Sequence, residues 1–185
     1  MQKFSIDRPI AVIIVSLLLG FAAPAMAQTI VLAGVEATVP SAWQAATPTS
    51  SMRLAQFRVP AASGSQDAEL VVFYFGPGQG GTPVANIARW RTQFSTPDGG
   101  QVEPVVHTFE TDNMAVTQAE FQGNYARGVG MGPVGDVKPD QTLLAAIVEG
   151  PQGKLFVQLY GPTATVDENR RAFDDFVRGM QQAPD

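Results

Sequence analysis

Four strand-like segments follow one another in the second half of the chain with no helical pattern between them. Apolar and polar residues alternate in "EPVVHTFET" (103–111) and "MAVTQAEFQG" (114–123), and "TLLAAIVEG" (142–150) and "KLFVQLYG" (154–161) are more apolar. A parallel neighbour needs a long crossover connection, usually a helix, so strands in direct succession pair antiparallel. The "GPQG" turn between the last two segments fits a tight reversal. The second half therefore predicts an antiparallel sheet.

The first half contributes further strands and the first of two helices. Strand-like segments lie at 35–40, 52–59 and 69–75, and the last of these is almost wholly apolar, as expected of a strand covered on both faces. After Pro83, which the first turn of a helix tolerates, apolar residues recur at helical spacing. These residues are Val84, Ile87, Trp90 and Phe94.

A second helix is predicted near the C-terminus. "TVDE" (165–168) has the form of a capping box that starts at Thr165, and an apolar stripe with Phe173, Phe176 and Val177 follows it. Together with the strands, this predicts an α+β fold in which a single antiparallel sheet of about six to seven strands is covered by two helices.

The N-terminal segment has the pattern of a secretory signal peptide. Lys3 and Arg8 precede an apolar run from Ile10 to Ala23, and small residues in an A-x-A arrangement follow it. We expect residues 1–27 to be removed and residues 28–185 to form one domain in the periplasm or outside the cell. An uncleaved anchor helix is the alternative, although the run is shorter than the roughly 20 residues that span a bilayer. Only through this uncleaved segment would the protein contact a membrane.

The composition disfavours several classes of function. A formal net charge of −5 disfavours sequence-independent binding to nucleic acid, because such binding needs a basic surface. The chain has no cysteine, so it has no disulfides, no thiolate nucleophile and no cysteine-ligated metal. Its single histidine excludes a two-histidine metal site. The sequence predicts no metal and no cofactor.

The stretch "FYFGPGQGGT" (73–82) matches the Gly-x-Gly-x-x-Gly pattern of dinucleotide-binding loops. That pattern binds pyrophosphate where a parallel strand leads into a helix, whereas Pro77 removes an N–H donor here and the predicted strands are antiparallel. We interpret the glycines as parts of a sharp turn that needs positive φ angles. An anion site at the start of the following helix, with Arg89 one to two turns along, is the alternative. The glycines are Gly76, Gly78, Gly80 and Gly81.

His107 is the only histidine and so the only candidate for a histidine base. On its predicted strand it shares a side with Val105 and Phe109, the side expected to pack, so we expect a structural role. No Gly-x-Ser-x-Gly elbow supplies a nucleophile for it. The sequence therefore predicts no catalytic residue.

One long irregular segment, 124–141, exceeds the usual length of a loop in a compact domain. Asp136, Lys138 and Asp140 within it are candidates for contact with a ligand or a metal. Their spacing differs from the alternating acidic positions of a calcium loop. A plain surface excursion is the other interpretation.

The order of elements resembles a known fold. "P-x-x-W" at Pro40 and Trp43, strands leading into a helix, a run of antiparallel strands, and "LYGPTATVDENRRAFDDFVRGM" at the end are similar to the Mog1/PsbP-like α/β/α sandwich. "AELVVFYFGPGQGG" and "NIARWRTQF" resemble small exported bacterial proteins of unassigned function. The resemblance implies a binding or assembly factor, as PsbP is beside a photosynthetic membrane complex and Mog1 is on a small GTPase. No catalytic or partner-binding residue carries over from it.

The leading hypothesis is an exported, non-enzymatic binding or assembly-accessory protein. It would hold an unknown envelope protein or a small ligand through the loops 76–82 and 124–141, because loops on a rigid sheet commonly carry recognition. A periplasmic hydrolase that uses His107 or the loop carboxylates is the alternative. An envelope structural protein is a third hypothesis.

Overall fold

The computed structural model describes residues 28–61, 64–126 and 136–184, which form eleven strands and two helices. Before the first helix lie β1 (Gln28–Leu32), β2 (Val35–Val39), β3 (Gln44–Ala45), β4 (Arg53–Val59) and β5 (Ala68–Tyr74). Then follow α1 (Pro83–Arg91), β6 (Phe94–Ser95), β7 (Val105–Thr111) and β8 (Met114–Tyr125). The last elements are β9 (Lys138–Gly150), β10 (Gly153–Pro162), α2 (Thr163–Arg178) and β11 (Gln181–Gln182).

The main sheet has the order β3-β4-β5-β10-β9-β8, and both β6 and β7 pair with β8. Every strand pair in the described parts of the chain is antiparallel, which confirms the prediction from the succession of strands. Three strands, β10, β9 and β8, lie between β5 and β7. A smaller sheet of β1, β2 and β11 lies beside the main one, and the sequence did not predict it as a separate sheet.

Two hydrophobic cores lie on opposite faces of the main sheet. On one face, α2 and the small sheet bury Trp43, Phe173 and Phe176 against the strands. On the other face, α1 buries Trp90 against Phe121 and its neighbours. The protein therefore has three layers, which are α1, the main sheet, and α2 together with the small sheet. This arrangement confirms the predicted α+β class.

Helix α1 begins as the sequence predicts, but its buried face differs. Thr82 is the N-cap, its hydroxyl accepts a hydrogen bond of 3.2 Å from the Ala85 amide, and Pro83 opens the helix. The expected apolar stripe is wrong at Val84, which is 77% exposed, whereas the polar Asn86 is buried. Asn86 can be buried although it is polar, because its side chain forms a hydrogen bond to the loop that precedes the helix.

The predicted start of α2 at Thr165 is wrong. The helix begins at Thr163 directly after Pro162, which caps it without a side-chain hydrogen bond. Thr165 lies inside the first turn, where its hydroxyl donates to the carbonyl of Gln66 at 2.7 Å. The N-cap is therefore Pro162, three residues before the cap that the capping-box pattern predicts, and its fixed φ suits the turn into the helix.

Neither described helix is long and apolar enough to cross a bilayer. The predicted signal segment, residues 1–27, lies outside the described residues.

Candidate functional site

A cavity of about 340 Å³ opens on the face of the main sheet that carries α1. Helix α1 has only nine residues and packs over β8 and β9, so the same face of β4, β5 and β10 is left open. We call this opening the α1-face cavity. Its lining is Arg53, Glu69, Val71, Phe73, Gln93, Tyr125, Asp136, Lys138, Leu143, Gln158 and Tyr160.

Strand alternation places the lining side chains. Glu69, Val71 and Phe73 occupy every second position of β5 and point into the cavity, while Leu70 and Val72 belong to the core on the other face. On β10, Tyr160 lies opposite Glu69, and Gln158 lies opposite Val71. The floor is therefore built on strands in the centre of the sheet, which hold side chains more rigidly than loops do.

An ion pair borders the cavity on one side. Arg53 approaches Glu69 with 3.3 Å between Nη1 and Oε1, and its guanidinium lies 5.4 Å from the centre of the Phe73 ring. Gln56 donates to the same carboxylate oxygen at 2.6 Å. These contacts hold the Glu69 carboxylate in place as a hydrogen-bond acceptor, and they orient the Arg53 guanidinium against the Phe73 ring.

The other side of the cavity is aromatic and amide-rich. The rings of Tyr125 and Tyr160 lie 4.4 Å apart between centres, and Phe94 packs on Tyr125 at 5.1 Å. Gln93 follows the end of α1 and lines the cavity. Its backbone is held in place there because its carbonyl accepts a hydrogen bond of 3.0 Å from the Ala126 amide. Such a combination of aromatic walls with a few convergent polar groups is typical of small-molecule sites.

The structure brings two of the sequence-predicted residues into this cavity. Asp136 and Lys138 line it, and neither forms an ion pair with another described residue. Asp140 does not line it, and its φ of 51° is unusual for a residue other than glycine. The middle of the segment 124–141, residues 127–135, lies outside the described residues.

The glycine turn lies away from the cavity and has internal contacts. All four glycines have positive φ, from 70° to 102°, which confirms the predicted turn conformation. A Cβ on Gly80 would lie 2.4 Å from the Phe156 ring. The Gly80 carbonyl accepts a hydrogen bond of 2.7 Å from Asn86 Nδ2. Gly78 borders a shallow depression next to the β9–β10 turn, and Gly81 is exposed.

Arg89 contacts this turn indirectly, through a hydrogen bond to Asn86, and it lies in the last turn of α1 and not at its N-terminus. Its guanidinium donates to Asn86 Oδ1 at 2.8 Å and lies 5.9 Å from the Trp90 ring centre. It also borders a second cavity, of about 710 Å³, at the C-terminal end of α1. The structure therefore does not bring Arg89 together with Asp136 or Lys138 in one cavity.

His107 is exposed on β7, so the expectation that its side of the strand packs is wrong. On that side of β7, only Phe109, which packs against the core, and Thr111 are shielded from solvent. His107 lies opposite Gln118, and it lines no cavity described above. Within the described ranges, no group of three or more histidine, aspartate or glutamate residues has the geometry of a metal site.

Sequence reasoning missed most of the cavity. Glu69 opens an otherwise apolar strand, and Gln158 and Tyr160 alternate with buried residues of β10, so the local pattern marks all three as ordinary strand positions. Gln158 and Tyr160 at alternate positions of β10, together with Glu69 at the start of β5, are the signal that could have found the site. Their proximity depends on the pairing of β5 with β10, which lie far apart in sequence.

Comparison with known proteins supports the fold. The solution structure of cyanobacterial PsbP (CyanoP) from Synechocystis sp. PCC 6803 matches with a TM-score of 0.56 and 16% sequence identity, covering 88% of this chain and 96% of that chain. The crystal structure of PA94, a protein of unknown function from Pseudomonas aeruginosa, matches with a TM-score of 0.49 and 17% identity, covering 86% and 99%. No protein-family model and no curated protein sequence matches the chain. The similarity to the cyanobacterial PsbP structure supports the PsbP-like fold that the sequence resemblance implied.

Proposed function

We propose that the protein is an exported, non-enzymatic binding protein that holds a small ligand in the α1-face cavity. The observation that carries this proposal is the convergence of Arg53, Glu69, Gln158 and Lys138 over an aromatic floor built on central strands. A volume of about 340 Å³ lies at the lower end of the roughly 300–1,000 Å³ found for ligand sites. The ligand would therefore be a compound of low molecular weight.

The charges of the lining residues favour an amphipathic ligand. Arg53 and Glu69 largely satisfy one another. Lys138, Asp136 and the two glutamines are then the groups that can bind a polar substituent, with Lys138 favouring an anionic one, and Tyr125 and Tyr160 offer apolar surface. A ring or short chain that carries one polar or anionic group fits this arrangement best.

The glycine turn has a structural role in this proposal. Its contacts with Asn86 and Phe156 hold the chain where it passes from β5 to α1. Binding is assigned instead to the sheet face and to the start of β9, where Asp136 and Lys138 lie.

A hydrolase remains the alternative class. It would use His107 or the carboxylates of Asp136 and Asp140, but His107 and Asp140 are not among the residues that line the α1-face cavity with Asp136. Replacing His107 with alanine in the full chain tests this alternative. A substrate-dependent activity that this variant loses would favour the hydrolase over the binding protein.

Export is proposed from the signal pattern alone. We expect cleavage after Ala27, which N-terminal sequencing of the protein isolated from its own cells would show. A mature protein that begins at Met1 would contradict it.

Native mass spectrometry of the protein isolated from those cells tests ligand binding. We expect a small-molecule adduct that survives gentle desolvation and is lost in Gln158→Trp, whose indole fills the cavity. Lys138→Glu should weaken the adduct, whereas Arg171→Glu, a charge reversal on the exposed side of α2, should keep it. An adduct unchanged in both cavity variants, with their folding checked by thermal denaturation, would contradict the proposed site.

A further inference from the structure

Strand β7 forms an open edge of the main sheet. Among the described residues it pairs with β8 alone, and it presents two apolar side chains to solvent, Val105 at 53% and Val106 at 42% exposure. Thr108 and Glu110 are exposed as well. A strand with one unpaired side carries backbone groups that can pair with another strand.

The β7–β8 hairpin determines which backbone groups face outward. Asp112 and Asn113 both have positive φ, 44° and 60°, as in a two-residue type I′ turn that Thr111 and Met114 close. The closing pair of such a turn is hydrogen-bonded, and bonded pairs then alternate along the ladder. The N–H and C=O groups of Val106, Thr108 and Glu110 therefore point away from β8.

Several features that usually protect an edge strand are absent from β7. Residues 105–111 contain no proline, lysine or arginine, and the β7–β8 register has no bulge. Seven residues also make this edge longer than the two-residue strand β3 at the opposite end of the sheet. An edge this long and regular is suited to strand addition.

The surroundings of this edge are acidic. Residues 92–126 contain no lysine or arginine and five carboxylates. Glu103 and Glu120 pair with arginines from outside this range, which leaves Asp98, Glu110 and Asp112 without an ion pair to another described residue. Glu110 lies on the side of β7 that also carries Val106 and Thr108, and it forms no ion pair with another described residue. On the other side, the Arg178 guanidinium lies 4.0 Å from the Phe109 ring centre. The free negative charge is thus on the side of Val106, Thr108 and Glu110.

We propose that β7 binds an extended segment of a partner protein that alternates apolar with basic residues and adds as a further strand. A second copy of this chain fits less well, because each copy has a net charge of −5 and would bring Glu110 to the same edge. Pairing of two seven-residue strands also buries less than the roughly 1,200–2,000 Å² of stable interfaces. Strand addition to a peptide needs less area, since main-chain hydrogen bonds supply much of the affinity.

Two synthetic peptides test this proposal on the protein isolated from its own cells. One alternates valine with lysine and threonine, and its control has glutamate in place of lysine. Fluorescence anisotropy should show binding of the lysine peptide that weakens with salt, and much weaker binding of the glutamate peptide. Amide exchange should slow on binding at Val106, Thr108 and Glu110, and change little at Val105, His107 and Phe109.

One substitution separates strand addition from nonspecific attraction. Thr108→Pro removes an outward N–H and no bond to β8, so we expect at least about tenfold weaker peptide binding, whereas Thr108→Val should bind as the unmodified chain does. If Thr108→Pro does not fold, Val106→Lys serves as the second variant, because a lysine repels the basic peptide. Equal binding of both peptides, or unchanged binding by the folded variant, would overturn the proposal. Protection of the same amides by self-association without peptide would overturn it in favour of a second copy.

Discussion

Asn86 Nδ2 donates a hydrogen bond of 2.7 Å to the carbonyl of Gly80 and a second of 3.0 Å to the carbonyl of Thr82. A buried side chain of α1 thereby holds the glycine turn that precedes its own helix. Arg89 completes the arrangement by donating to Asn86 Oδ1. These contacts satisfy two carbonyl groups of the turn and its helix start, so the turn is held by the protein's own side chains.

Replacing Asn86 with alanine should destabilise the fold. The variant removes the side-chain donor to the half-buried Gly80 carbonyl, while the Thr82 carbonyl keeps its bond from the residue 86 amide, so we expect a loss of about 1–3 kcal/mol in the free energy of unfolding, measured by urea denaturation. Gln79→Ala in the same turn is the control, because Gln79 is exposed and should change stability by less than about 0.5 kcal/mol. Equal stability of the two variants would show that Asn86 does not hold the turn.

Gly80→Ala and Gly78→Ala form a matched pair. Both residues have positive φ, 88° and 70°, but a Cβ at Gly80 meets the Phe156 ring at 2.4 Å and one at Gly78 meets nothing within 4 Å. Both variants should lose about 1–2 kcal/mol from backbone strain. Gly80→Ala should lose about 1–3 kcal/mol more from overpacking, in the same denaturation experiment. A larger loss at Gly78 would contradict this packing.

Arg170 joins α2 to β8 through Glu120. Its two terminal nitrogens donate to the two carboxylate oxygens at 2.6 and 2.8 Å, and these hydrogen bonds are the main cause that raises the pKa of Arg170. A double-mutant cycle on this pair should give a coupling energy near 1 kcal/mol. The pair Arg171 and Asp175, with side chains 93% and 72% exposed, should give a coupling near zero. Equal coupling energies for the two pairs would show that the bidentate geometry of Arg170 and Glu120 does not add to stability.

Asp67 should make stability depend on pH. The hydrogen bond from the Ala61 amide, with further help from Arg58, lowers the pKa of Asp67 below its ordinary value of 3.8. Because the folded-state pKa is depressed, the stabilisation is present above the unfolded pKa and is lost as the pH falls through the folded one. The stability difference between the unmodified chain and Asp67→Asn should therefore shrink below about pH 4, in acid titrations followed by circular dichroism. A difference that stays constant down to about pH 2 would contradict this assignment.

The sequence predicted the sheet better than the site, for a physical reason. Strand type follows from local alternation, and the "GPQG" turn between Gly150 and Gly153 places β9 beside β10. The cavity depends instead on β10 pairing with β5, which brings Tyr160 opposite Glu69 across 91 residues. Local patterns contain no information on that pairing. The same limit explains why the expectation for His107 was wrong, because its exposure depends on the position of β7 at the edge of the sheet.

Protein-observed NMR with a library of small amphipathic fragments tests the central claim most directly, which is that binding belongs to the α1-face cavity and not to the glycine turn. We predict chemical-shift changes at Val71, Phe73, Gln158 and Tyr160 for fragments that bear one polar or anionic group, and no saturable change at residues 76–82 on addition of NAD or ATP. Saturable shifts at the glycine turn with a nucleotide, together with an unresponsive cavity, would contradict the account.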